Sequence, residues 1–372
     1  MPSNTVVLRG ERFTLGWSPE TIYGTDPGTA SYTNAFGVVQ SATLPDPNID
    51  ILPVYAMGSN SIRNWYVAYK GRISLTGGIP DIFLLNGYPL YLAIGNVTTT
   101  GGNPYTHTIT ETVTLPTLAM HVTHLDSNGT ARLMRRYLGG KVGRMSLEAS
   151  EGDFLKCSLD DIQFIDFSHD QNGEPKYSSN VANISVTYPT TQPYLFSYGA
   201  LTLNNTEFAR LRSFRLEINN SLEARYYVTD NAIAQLPYEY REGKRELAMS
   251  CNIDISDATL YKELIRQGSY SSTFRGFSMS MVFTRGVNDT ITITSPTTTP
   301  GAGGDAMGCL IRSAPHVISD ASVVTVPITM LLRNIKIVVV DSISSYPGNS
   351  ARHNAEFTTI MGLDKSVASV QA

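Results

Sequence analysis

The chain has 372 residues, beyond the size at which a single hydrophobic core usually suffices, so length alone points to two domains. Its 28 Lys and Arg against 32 Asp and Glu give a formal charge of −4, which argues against an autonomous nucleic-acid binder that works by neutralising phosphates. Cys157, Cys251 and Cys309 are odd in number and scattered, so no disulfides are expected, and neither a secretory leader nor a membrane span is expected from the apolar runs.

Strand alternation begins early, at Arg12-Phe13-Thr14-Leu15. A long insertion follows at about 23–62, with Tyr23-Gly24-Thr25-Asp26-Pro27-Gly28 and a Pro-rich stretch from Thr43 to Pro53. Its prolines read as forbidding regular sheet pairing, yet Leu44, Ile49, Ile51 and Leu52 are too apolar for a solvated loop. Two readings stand: a loop folded back on its own domain, or an arm that docks on a neighbouring subunit. Beyond it, Lys70-Gly71-Arg72-Ile73-Ser74-Leu75 reads as a strand, and 80–94 as a short helix interrupted at Asn86-Gly87, with Pro89 in the resumed first turn. Ile109, Glu111, Val113 and Leu115 alternate with threonines. The stretch 154–167 closes the first half, where Leu155, Cys157 and Leu159 share a parity that Ile162 and Phe164 do not, so a bulge is expected near Asp160-Asp161.

The segment 170–198 reads as a loop-rich connection in which Val181, Ile184, Val186 and Thr187 could add a short strand. In the second half, Phe214, Leu216 and Ile218 oppose Arg215 and Glu217, and Leu247, Met249, Cys251, Ile253 and Ile255 share one face of a longer strand. A helix is expected over 257–267, with Leu260, Tyr261, Leu264 and Ile265 as its apolar stripe. Phe277, Met279, Met281 and Phe283 alternate again, Gly301-Ala302-Gly303-Gly304 reads as a hairpin loop, and 323–340 closes the half with a parity change around Leu331 to Asn334.

The order strand, strand, short helix, closing strands therefore occurs twice, which we read as an internal duplication. The expected organisation is mainly β, with two tandem modules at 1–170 and 205–372, each with a short flanking helix, and a connecting segment at 171–204. No catalytic, cofactor or metal constellation emerges. His121 and His124 fall on opposite faces of a strand, and Asp160, Asp161 and Asp166 lack partner ligands. Arg132, Arg135, Arg136, Lys141 and Arg144 form a basic cluster, expected in intersubunit salt bridges or on a solvated face. The chain is not expected to be an enzyme.

Tyr-Gly-Thr-x-Pro-Gly at Tyr23, Leu-Pro-x-Pro at Leu44, Met57-Gly58-Ser59 before the Lys70-Gly71 strand, and Phe214 to Glu223 resemble tail tube proteins of long-tailed bacteriophages. The resemblance covers nearly the whole chain. It implies β-sandwich or barrel modules assembled as stacked rings around a DNA channel, and a subunit made in the host cytoplasm and placed in the virion tail with other tail proteins. Since many such proteins carry one module and form hexamers, two modules imply homotrimeric rings with pseudo-sixfold symmetry. On that reading Leu44, Pro45, Pro47, Ile49, Ile51 and Leu52 are expected at the inter-ring contact. DNA passes without specific binding, so the lumen should be acidic rather than basic, and Glu246 and Asp254 are assigned inward, with the exterior as the alternative. Another ring-forming injection component (a tail terminator, a baseplate hub, or a secretion or tailocin tube) and a β-rich binding module are the competing readings.

Overall fold

A computed structural model describes residues 12–55, 65–126, 128–167, 184–203, 206–207, 211–227, 235–254, 278–286, 288–295, 308–315 and 325–347. The helix expected at 257–267, Phe277, the Gly301 to Gly304 loop, and residues 171–183 of the connecting segment with Val181 lie outside these residues. The first half contains β1 (Phe13–Pro19), β2 (Val38–Thr43), β3 (Pro47–Val54), β4 (Val67–Phe83), helix α1 (Tyr88–Ile94), β5 (Gly95–Gly101), β6 (Tyr105–Glu111), β7 (Leu118–Leu125), β8 (Ala131–Ser150), β9 (Lys156–Phe164) and β10 (Asp166–Phe167). The second half contains β11 (Gly199–Leu203), β12 (Thr206–Glu207), β13 (Leu211–Asn219), β14 (Glu223–Arg225), β15 (Glu239–Arg241), β16 (Glu246–Asp254), β17 (Met279–Thr284), β18 (Thr290–Ser295), β19 (Cys309–Ser313), β20 (Thr325–Leu332) and β21 (Lys336–Asp341). The protein is mainly β, as its alternation predicts.

Two sheets run through both halves. The larger follows the path β19, β20, β16, β13, β8, β9, β4, β2, with β3 on β4, β7 on the long β8 and β1 on β7. The smaller follows β12, β11, β17, β18, β21, β6, β5. The halves meet where β13 pairs antiparallel with β8 and where β21 pairs antiparallel with β6. Period-2 residues supply the core: Phe214, Leu216 and Ile218 of β13, Met145 and Leu147 of β8, and Met249, Cys251 and Ile253 of β16 are all buried in one apolar cluster that both halves share.

Helix α1 is short because its ends are fixed from outside. Asn86 Oδ1 accepts the Tyr88 N–H, the Gly87 N–H donates to the Tyr346 hydroxyl, and the buried Asn220 amide donates to the carbonyls of Ala93 and Val142. Pro89 lies in its first turn, where no N–H is needed. Upstream the structure differs from the sequence reading: 80–83 belong to β4, whose register shifts between Ile79 and Ile82 so that both remain buried around Pro80.

Three further elements refine the sequence reading. The bulge near Asp160-Asp161 is present, with Asp161 at φ 59° and Leu159 and Ile162 both in the core. The parity change at Leu331 to Asn334 is not a bulge: β20 ends at Leu332 in the larger sheet and β21 begins at Lys336 in the smaller one. The Pro-rich stretch does pair. β3 lies antiparallel on β4 from Pro47 opposite Leu75 to Val54 opposite Val67. Prolines are tolerated there because β3 is an edge strand, where an absent N–H on the open side breaks no ladder bond.

Candidate assembly surfaces

The first surface is the face of the larger sheet that turns away from the core. Alternation that buries Leu247, Met249, Cys251 and Ile253 leaves Glu246, Ser250, Asn252 and Asp254 of β16 opposite, and the same rule exposes Arg215 and Glu217 of β13. Several charges on this face are paired, while Arg144 of β8 is exposed. Arg215 lies 2.9 Å from Glu148 across the β13/β8 junction and 2.7 Å from Glu217, and these acids hold its guanidinium above its usual pKa, the Glu217 hydrogen bond foremost. Lys156 lies 2.7 Å from Asp153, whose carboxyl is lowered by that bond and by the Phe154 N–H. Asp254 accepts the Thr325 hydroxyl at 2.6 Å and lies 3.6 Å from Arg212, whereas Glu246 is well exposed with Lys244 at 3.6 Å. The face is also concave: a hollow of about 410 Å³ is lined by residues such as Glu148, Arg215, Ser250, Asn252 and Thr329.

The second surface is the β3/β4 hairpin. All eight residues of β3 are exposed, and Ile51, Leu52, Trp65, Tyr66 and Tyr69 are each more than half exposed. An apolar surface of this kind is rare unless something covers it. Its root is held firmly by the second half: the Ile73 N–H donates to the Gln235 carbonyl at 2.9 Å, the Tyr226 hydroxyl donates to the Ile73 carbonyl at 3.2 Å, and Arg72 sits 4.9 Å over the Tyr226 ring. Of the residues singled out from sequence, Pro47, Ile49, Ile51 and Leu52 are presented outward. Pro45 is buried, and Leu44 packs against the core of its own chain.

A family profile described as phage tail tube protein matches residues 10–329. The chain belongs to that family. None of the curated proteins matches it. Membership assigns a structural role in a phage tail, with self-association and contact with other tail proteins.

For this tail tube protein four members of the basic cluster have intrachain partners, which corrects their assignment to intersubunit bridges, while Arg144 is exposed on the solvated face. Arg132 pairs with Asp126, Arg135 with Asp46, Arg136 with Asp26, and Lys141 with Glu242. The Arg135 and Arg136 bonds fasten the long insertion to β8, and the Lys141 bond ties β8 to the second half. His121 belongs to the same lock: its Nδ1 accepts the Arg136 Nε–H at 3.1 Å, and its Nε2 meets the Thr123 hydroxyl at 2.8 Å. Burial first, then the Arg136 charge, push its pKa down to about 4, so it is neutral at physiological pH. His124 projects elsewhere on β7 and is partly exposed, and no group of three or more metal-ligating side chains gathers among the described residues. No helix among them is long and apolar enough to cross a membrane.

The sequence reading missed the hairpin's aromatic contribution. Trp65, Tyr66 and Tyr69 stand just before the Lys70-Gly71 strand, and their density next to a Pro-bounded apolar run was the available signal. Nothing local in the sequence revealed the Tyr226 and Gln235 clamp, which joins residues more than 150 positions apart.

Proposed function

We propose that this protein polymerises as stacked homotrimeric rings around a channel for DNA ejection, made in the host cytoplasm and built into the virion tail. The observation that carries the reading is a single eight-strand path with a polar face, hollowed where Glu148, Arg215 and Ser250 line it, whose two end strands each have one strand neighbour among the described residues. Three chains supply eight strands each, which at ordinary strand spacing and tilt close a barrel with a backbone diameter of about 50 Å. The tandem modules at 1–170 and 205–372, joined through 171–204, make such a ring approximately sixfold.

The polar face lines the channel, and Glu246 and Asp254 point inward with it. Paired charges suit a conduit, because uncompensated Lys or Arg would add counterion-release affinity for phosphate and slow passage. The β3/β4 hairpin reaches the adjoining ring through Pro47, Ile49, Ile51 and Leu52, while Leu44 and Pro45 seat its root. Its pre-formed pairing lowers the ordering cost of docking. Replacing Ile49, Ile51 and Leu52 together by Ser leaves folded subunits that no longer elongate. Tubes of normal length in electron micrographs of this variant would contradict the hairpin assignment.

A further inference from the structure

We propose that His121, Arg136 and Asp26 form a proton-operated catch: a proton added to His121 releases residues 24–33 of the long insertion from β7 and β8 while both sheets stay folded. The device belongs to the single chain and does not depend on the ring reading.

Hydrogen bonding fixes the protonation state of the closed catch. An arginine Nε–H can only donate, so His121 Nδ1, 3.1 Å from that of Arg136, is the bare nitrogen, and Nε2 carries the proton toward the Thr123 hydroxyl. The same guanidinium reaches across to the insertion, where Nη1 donates to the Asp26 carboxylate and Nη2 to the Thr29 hydroxyl oxygen. Asp26 also accepts the Gly28 N–H at 2.9 Å and the Tyr32 hydroxyl at 3.0 Å. The Tyr32 ring meets the imidazole edge-on at 5.1 Å between centroids. One buried cation thus holds the strand histidine with one nitrogen and the insertion with the other two.

An added proton reverses the central contact. Nδ1–H then faces another donor, and an imidazolium faces a guanidinium in a buried site, so Arg136 must turn away and gives up Asp26 and Thr29 with it. Around the imidazole stand Arg136 from β8, Asp26 and Tyr32 from the insertion, Gly16 opposite on β1, and Thr123 on β7 itself. Asp26 is the acid among them. Burial alone would raise its carboxyl, but the Gly28 N–H and Arg136 outweigh this and hold it below its usual range. The nearby Glu20 is engaged elsewhere, accepting the Gly24 and Gly139 N–H groups. His121 is therefore the group that refuses a proton in the closed form, its pKa pushed down to about 4 by burial and then by Arg136. A depressed histidine favours the closed form fully above the ordinary value of about 6.5 and loses that contribution as pH falls toward 4.

The packing makes this opening local. Tyr32 belongs to a small cluster with Ala119, Leu138 and Ile184, separate from the large core that both halves share. Each end of the segment is anchored independently of the catch. Glu20 holds Gly24 and Gly139 at one end, and at the other Trp17 and Asn34 exchange backbone hydrogen bonds at 3.0 and 3.3 Å. A stretch held by few apolar contacts and one polar cluster opens without the rest of the fold.

The test is hydrogen exchange of the full chain read by mass spectrometry, corrected for the intrinsic effect of pH on exchange. Between neutral pH and pH 4 the protection of residues 24–33 is expected to fall about 100-fold, with β13 and β16 unchanged. His121→Gln keeps an acceptor for Arg136 and takes no proton, so its insertion is expected to stay protected. Equal opening in His121→Gln, loss of protection in β13 and β16 in step with 24–33, or a parent that stays closed at pH 4 would each overturn the catch. Arg136→Met serves where His121→Gln does not fold: its insertion is expected to be open at neutral pH with no further acid step, and a protected insertion there would overturn the catch as well.

Discussion

β16 and β3 are both strands rich in Ile, Leu or Met, yet they use these residues oppositely. In β16 every second residue is buried, whereas β3 exposes all eight. The first strand places its apolar side chains in the chain's own core, and the second presents its own on the surface of a paired hairpin. An apolar residue is thus evidence of a core only when period and pairing place it there.

The sharpest way to break this comparison is truncation in the core. Met249→Ala on β16, where the side chain is 1% exposed, is expected to lower the unfolding free energy by about 2–5 kcal/mol in urea titrations. A smaller effect is expected where the smaller sheet joins the halves. Asp341 accepts the Tyr346 hydroxyl at 2.7 Å and lies 3.1 Å from His107 Nε2, and both partners are buried. Asp341→Ala leaves them unsatisfied and is expected to cost roughly 1–3 kcal/mol by the same assay.

Acid should act through His121. Its folded pKa of about 4 lies below the ordinary 6.5, so between these values the unfolded chain binds a proton that the folded chain refuses. Stability from this group is complete above pH 6.5 and is lost as pH falls toward 4. His121→Gln is expected to flatten that part of a stability profile, and an unchanged slope would contradict the neutral assignment. The smallest stability effect belongs to Ile51→Ser, expected within about 0.5 kcal/mol of the parent although it weakens stacking. A loss as large as that of Met249→Ala would mean that the hairpin packs at home, and the contrast with β16 would fail.

Much of the fold was legible where strands are half-buried. Phe214, Leu216 and Ile218, or Leu247 to Ile253, announce their faces because one side of the sheet is wet and the other dry. β3 was not legible as a strand, since Pro47 and Pro53 mimic a break that an edge strand tolerates. The slip at Leu331 to Asn334 was visible, but parity cannot tell a bulge from a change of sheet. Long-range pairings such as β13 on β8 leave no local mark. The polar face that carries Glu246 and Asp254 followed from alternation, whereas its concavity needed the assembled sheet.

The most direct measurement is cryo-electron microscopy of assembled tubes at side-chain resolution. Three chains per ring are predicted, with the concave face of the larger sheet lining the channel and Glu246 and Asp254 directed inward. A channel lined by the smaller sheet, or mainly by Lys and Arg, would contradict this, as would six chains in each ring.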